Sequence, residues 1–281
     1  MTEAQGNRHE DTVQSFGSEW ATFDQTALSA GEKADLFDRY FAIFPLDALP
    51  PDAEGFDMGC GSGRWASLVA PHVHRLNCID PAGDALDVAR RALSRQANVV
   101  FHHADTDSVA LDPGSQDFGY SLGVLHHIPD TARALRATTR LLKPGAPFLL
   151  YLYYRFDNRP AWFRAIWHAS NLLRRGIAAL PERAKTVATD VLALAVYWPL
   201  SRLARAVERL GGNPAPIPLS FYRTSSVYTL RTDSRDRFGT PLEQRFTKNE
   251  IAAMMAEAGL VDIRFSEREP YWVAVARKAD A

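Results

Sequence analysis

Apolar and polar positions along this chain follow two rhythms. A short apolar stretch, Phe56 to Met58, meets an amphipathic one, Trp65 to Val73, across a run of glycines. The first predicts a strand and the second a helix. The run Val73 to Ile79 predicts a second strand, followed by a helix over Asp84 to Arg95. Asn98 to His103, the segment around Phe118 to Leu122, and Phe148 to Tyr154 predict three more strands. Strands alternating with helices predict an α/β fold with a parallel sheet. Ahead of it, Leu36, Phe37, Tyr40, Phe41 and Phe44 have helical spacing and predict a helix on the rim of the sheet. Near the end, Thr247 and Glu250 form a capping-box pattern. Two β-rich segments follow, Val261 to Ser266 and Tyr271 to Ala276, joined by Glu267 to Pro270.

The rhythm breaks over residues 155–245. Pro160 to Arg175 predicts one helix and Pro181 to Leu210 another, kinked or broken at Pro199. Pro214 to Pro218 predicts a linker or stiff turn. Phe221 to Phe238 mixes polar and aromatic residues, which suits either a solvated hairpin or a set of substrate contacts.

The junction at Asp57-Met58-Gly59-Cys60-Gly61-Ser62-Gly63-Arg64-Trp65 carries the chemistry. A strand that enters a helix through glycines presents bare backbone N–H groups to a ligand. A dinucleotide fingerprint places its third glycine three positions beyond the second. Arg64 holds that slot here, and the third glycine comes early, at Gly63. About twenty residues on, the second strand ends in Asp80-Pro81. A carboxylate there can accept both vicinal hydroxyls of a ribose; it also suits a helix N-cap.

With Asp57 in front of the glycines, the segment resembles motif I of the class I S-adenosylmethionine-dependent methyltransferases. Ser115 to Asp130, containing Ser121-Leu122-Gly123-Val124-Leu125-His126-His127, looks like that family's fourth strand and the turn after it. Leu141-Leu142-Lys143-Pro144-Gly145-Ala146 is similar to the family's approach to its fifth strand. Gln116, Gly119 and Ala146 depart from the usual pattern, and Gly119 is expected to weaken its strand. The resemblance implies a Rossmann-like, seven-stranded, mostly parallel sheet closed by a C-terminal antiparallel hairpin, with a helical insertion. It implies S-adenosyl-L-methionine as cofactor, bound by Asp57, Gly59, Cys60, Gly61, Gly63, Asp80, Pro81, Asp105, Thr106, Ser121 and Leu122. Asp105 is expected to accept from the adenine amino group. Four parts follow: a leader or lid (1–45), a cofactor-binding core (46–154), a helical cap or insertion (155–245), and a helix with hairpin completing the core (246–281).

Composition narrows the partners. At 281 residues and a formal charge of −1, the chain has no global basic field to recruit nucleic acid. Cys60 and Cys78 lack metal-ligand spacing, which argues against a zinc site and for a reducing, cytoplasmic compartment. The N-terminus lacks a basic-then-apolar leader, and no uncharged apolar run reaches the ~18 residues of a spanning helix. Between Arg155 and Leu210, however, ten basic side chains face four acidic ones. The insertion therefore suits a substrate cap, a homodimer interface or an interfacial membrane patch.

For methyl transfer the chain must hold a nucleophile at near-attack distance, and a hydroxyl or phenol also benefits from a base. His126 and His127, at the end of the fourth strand, are the candidates, with Tyr153, Tyr154 or Asp233 as alternatives; an amine or ionised nucleophile needs none. A lid carrying Phe16, Trp20 and Phe23 suits a sulfonium, which aromatic faces attract. Tyr153, Tyr154, Tyr222, Arg231 and Asp233 are candidate substrate contacts. The expected reaction is methyl transfer to a small molecule, foremost at oxygen. Transfer at nitrogen or carbon, a lipid-linked acceptor, and cofactor binding without chemistry are the alternatives.

Overall fold

In the computed structural model, which describes residues 7–25 and 27–280, the apolar runs become strands β1 (Glu54–Met58), β2 (Arg75–Asp80), β3 (Val99–His103), β4 (Phe118–Leu122) and β5 (Pro147–Tyr151). The chain closes with β6 (Leu260–Phe265) and β7 (Ala274–Lys278). The seven form one sheet in the order β3-β2-β1-β4-β5-β7-β6, in which the first five strands are parallel and β7 runs antiparallel to both neighbours. Helices α1 (Glu10–Thr22), α2 (Ala30–Phe41), α3 (Ala66–Val69), α4 (Gly83–Ala92) and α5 (Thr131–Thr139) precede β5. Helices α6 (Ala161–Ala178), α7 (Glu182–Leu192), α8 (Trp198–Arg209), α9 (Val227–Gly239) and α10 (Lys248–Glu257) follow it. The parallel strands are buried on both faces, so they read as apolar runs and not as alternation. Phe56, Phe118, Phe148, Leu149 and Leu150 are all fully buried.

Gly119 corrects an expectation. In the β1–β4 register Gly55 lies opposite Phe118 and Phe56 opposite Gly119. A Cβ on either glycine would come within 2.3 Å of the facing ring. Each glycine is thus the slot for an aromatic ring on the other strand, and the pair locks the centre of the sheet. Gln116 likewise has a buried polar place: its Oε1 accepts from Asn77 Nδ2 at 3.0 Å.

The chain divides into two compact units. One comprises the chain up to Gln25, Asp35–Asp157 and everything from Leu242 on; the other comprises a short stretch ending at Ala34 and Asn158–Pro241. The first contains the sheet. Within it the insertion departs and returns at neighbouring points. Arg155 N donates to Phe246 O at 2.9 Å, and Lys248 N donates to the Asp157 carboxylate at 2.9 Å. Thr247 and Glu250 close the expected capping box at the start of α10.

In the second unit α6 and α7 both pack on α9. Helices α7 and α8 are joined through a π-helical turn at Ala193–Tyr197 into one 28-residue helix, Glu182–Arg209. The irregularity thus precedes Pro199, where the wide turn takes up the missing donor and the ring of the proline. That helix, with a mean hydropathy of 1.2 over 18 residues, is long and apolar enough to cross a membrane by length and composition. Buried core helices meet the same test, but only 28% of this stretch is buried. The segment Phe221 to Phe238 is not a hairpin. Ser226 caps α9 by accepting from Thr229 N, and Arg231 and Arg235 of α9 pair with Asp190 and Glu182 of α7.

Candidate cofactor and active site

The connection from β1 runs toward β2 and that from β4 toward β5, so a crevice opens at the carboxyl ends of β1 and β4. The chain delivers the glycine turn to this point. Gly59, Gly61 and Gly63 have φ of +82°, +52° and +78°, the left-handed region that a Cβ disfavours. Gly59 N and Cys60 N both donate to Ile79 O, at 2.8 and 3.0 Å, which ties the turn to β2. Gly61 N donates to Asp80 Oδ2 at 2.9 Å, and Ala82 N to Asp80 Oδ1 at 2.8 Å. Asp80 is thereby fixed between the turn and the entry to α4, and each carboxylate oxygen keeps a second lone pair for a hydroxyl.

Burial raises the pKa of Asp80 to about 6, against the lowering effect of the Ala82 and Gly61 N–H groups. Burial pushes Asp57 further, up to about 8, with the Tyr120 hydroxyl opposing and the Asp80 charge adding to the rise. Asp57 Oδ2 and Ser62 Oγ are buried without a hydrogen-bond partner among the described residues. Buried polar atoms are nearly always satisfied. These two, beside a turn of bare backbone, fit a polar ligand lying on it.

Helix α1 of the leader crosses this place. A Cβ on Gly61 would stand 2.9 Å from Trp20 Nε1, so the indole rests directly on the turn. One turn earlier, the Phe16 ring meets His127 edge-on at 4.9 Å between centroids. Phe23, just past the helix, is buried. Ahead of the helix, Asn7 exchanges two hydrogen bonds with the Asp130 backbone, at 2.7 and 2.8 Å. The leader therefore touches both the glycine turn and the histidine turn.

His126 and His127 lie in the 3-10 turn that follows β4, and both are buried. His127 Nδ1 is 2.6 Å from the Leu242 carbonyl, which can only accept. Nδ1 therefore carries the hydrogen, and Nε2 presents a lone pair. His126 contacts both His127 and Tyr153 with tilted rings, at 4.0 and 3.9 Å between centroids. Its pKa is pushed well down by burial first, then by His127 and Arg245, which holds the ring neutral. Arg245 lies over the Tyr153 ring at 5.0 Å and pairs with the buried Glu243 at 2.7 Å. This ion pair has no local signal in the chain, because it arrives about ninety residues after Tyr153, beyond the insertion.

The remaining candidates fall into distinct places. Asp105 spends one oxygen on its own turn, accepting from Asp107 N, Ser108 N and Ser108 Oγ at 2.7 to 3.0 Å. Thr106 beside it is buried. The Pro81 carbonyl lies 3.0 Å from His103 Nε2. Ser121 Oγ donates to Met58 O at 2.9 Å, clasping β4 to β1, and Leu122 ends the strand beside it. Tyr154 packs among Phe156, Tyr271 and Trp272. Tyr222, Arg231 and Asp233 belong to the second unit, where Tyr222 meets Tyr197 and Arg231 grips Asp190 through two bonds, at 2.8 and 2.7 Å. Cys60 and Cys78 are buried and free, and no group suited to hold a metal occurs among the described residues.

Comparison with known proteins gives this crevice its context. Residues 56–150 match the sequence model of a methyltransferase domain. Over 120 residues the chain is 33% identical to the ubiquinone biosynthesis O-methyltransferase of Sodalis glossinidius, covering 42% of this chain and 47% of that one. It is 30% identical over 137 residues to an uncharacterized methyltransferase of Mycobacterium tuberculosis, covering 47% of this chain and 66% of the relative. The chain thus spans about half the length of the first of these relatives. In fold it is similar to a SAM-dependent methyltransferase from Methanosarcina mazei, with a TM-score of 0.50 and 17% identity over 85% of this chain and 99% of the other. Residues 56–150 are thus a methyltransferase domain, of the kind that uses S-adenosylmethionine.

Proposed function

We propose that the protein methylates a hydroxyl or phenol of a small molecule, with His127 as the base. The observation that carries this reading is the bond from His127 Nδ1 to the Leu242 carbonyl, which leaves Nε2 as acceptor at the carboxyl end of β4. The curated O-methyltransferase relative supports oxygen as the attacked atom. When bound, S-adenosylmethionine supplies a methyl group already activated on a sulfonium. Asp80 accepts the ribose hydroxyls, Asp105 takes the adenine amino group on its second oxygen, and the unspent Asp57 Oδ2 and Ser62 Oγ meet further polar atoms of the ligand. Trp20 and Phe16 close over the turn and exclude water. His127 takes the acceptor proton at Nε2, while the tilted ring of His126 and the edge-on ring of Tyr153 hold the imidazole.

Transfer of a labelled methyl group to panels of phenols, aliphatic alcohols and amines tests the proposal. His127→Ala should lower turnover of hydroxyl acceptors by ~10²–10⁴-fold, the usual worth of a general base, with cofactor affinity unchanged. Methylation of amines alone, or an undiminished rate in the variant, would refute the assignment.

A further inference from the structure

The helical unit exposes more large apolar side chains than it buries. Thirteen of the fifteen large apolar side chains exposed among the described residues belong to it, whereas its buried side chains are mostly polar or charged. Along α6, Trp162, Ile166 and Leu173 recur at helical spacing and, with Leu180 just past its end, are all more than a third exposed. Along the α7–α8 helix, Val187, Val191, Leu194, Trp198 and Leu203 do the same. The inward side has a small apolar cluster, Ile177, Ala193, Tyr197, Leu230 and Phe238, set among buried Lys185, Thr189, Ser201, Thr232, Ser234 and Arg235. A water-soluble bundle buries its apolar stripe. An apolar exterior around a polar interior is how helices are arranged when their surroundings are hydrocarbon.

Charge selects among the occupants of such a face. Helices α6 to α8 carry three carboxylates, and each is paired: Glu182 with Arg235, Asp190 with Arg231, Glu208 with Arg223. The guanidinium groups of Arg164, Arg175, Arg183, Arg205 and Arg209 have no hydrogen bond or ion pair among the described residues. A second copy docked on the same face would bring its own surplus of guanidinium groups against these, because a two-fold interface meets itself. A surface of anionic headgroups neutralises them. Trp162 and Trp198 are residues that settle at the boundary between headgroups and acyl chains.

We infer that the outer faces of α6 and α7–α8 dock on an anionic lipid bilayer, lying in its interfacial plane. The orientation follows from the one-sided pattern. A lone spanning helix is apolar all round, but the inner side of α7–α8 includes the buried Lys185, Thr189 and Ser201 and rests on α9. Only the outer side, about 42 Å long at 1.5 Å per residue, enters the headgroup and acyl boundary. The inference goes beyond the proposed reaction and holds whichever atom is methylated.

The test is co-sedimentation of the full chain with phosphatidylcholine vesicles, with and without phosphatidylglycerol. The protein should pellet with the anionic vesicles, less so as salt is raised. The double variant Leu194→Glu, Trp198→Glu should lose more than about ten-fold in partitioning. Arg175→Gln, Arg183→Gln and Arg209→Gln should each lose about five-fold. Calorimetric binding of S-adenosylmethionine and the circular dichroism spectrum, both unchanged in the arginine variants, report that these still fold. Failure of the parent protein to pellet with anionic vesicles would overturn the inference, as would arginine variants that partition like the parent. A dimer in sedimentation velocity, dissolved by Leu194→Glu, Trp198→Glu, would place a second copy on this face and overturn it too.

Discussion

Asp57 and Asp80 flank one turn but are set differently by their surroundings. Asp80 is buried and held by two N–H groups, with a pKa of about 6. Replacing it with Ala should weaken S-adenosylmethionine binding by ~1–3 kcal/mol, the scale of lost hydrogen bonds to a charged group; an unchanged dissociation constant in calorimetry would remove it from the site. Because its pKa is raised, mild acid reaches it. Affinity should fall as pH drops through about 6 in the parent, and Asp80→Asn should flatten that dependence. Asp57, at about 8 when folded, bears on stability. Between its unfolded value and about 8 the native state keeps a proton that the unfolded chain has released. Its contribution is therefore full in acid and is lost as pH rises through about 8. Denaturant titrations of the cofactor-free protein should show stability declining with pH by up to ~1.4 kcal/mol per unit, a decline that Asp57→Asn should largely remove. A parallel slope in that variant would show the proton to be elsewhere.

At the level of elements, β1 and β4 depend on glycines that fit rings. Gly119→Ala places a Cβ 2.3 Å from the Phe56 ring, inside any contact distance, and should destabilise by ~1–3 kcal/mol through overpacking. A neutral or higher melting temperature would contradict the interlock. This slot was not legible in the sequence, because it exists only once Gly55 faces Phe118 and Phe56 faces Gly119 across sixty-odd residues of chain. By contrast, the glycine turn, Asp80 and the Thr247 capping box were legible, since each is made by residues a few positions apart or by a fixed strand–turn–helix spacing. Helix α9 was missed for a different reason. Its buried side carries Thr229, Thr232, Ser234 and Arg235, so no apolar period announced it. The Arg245 pair beneath Tyr153 was equally silent.

At the scale of the molecule, the sheet and the helical unit answer to separate rules: one buries its apolar residues, the other shows them. The sheet-bearing unit does not need the other to bring its own ends together. Arg155 and Asp157 before the insertion are bonded to Phe246, Glu250 and Lys248 after it. Replacing Asn158–Pro241 with a short Gly-Ser linker should therefore leave a domain that unfolds cooperatively and binds S-adenosylmethionine as the parent does. A linker variant that fails to bind the cofactor would show that the insertion supports the core.

The clasp formed by Arg155, Asp157 and Lys248 works like a socket. Whatever is plugged in between, the entropy of closing that loop changes only slowly with its length. A lineage could exchange one insert for another of different size without rebuilding the crevice.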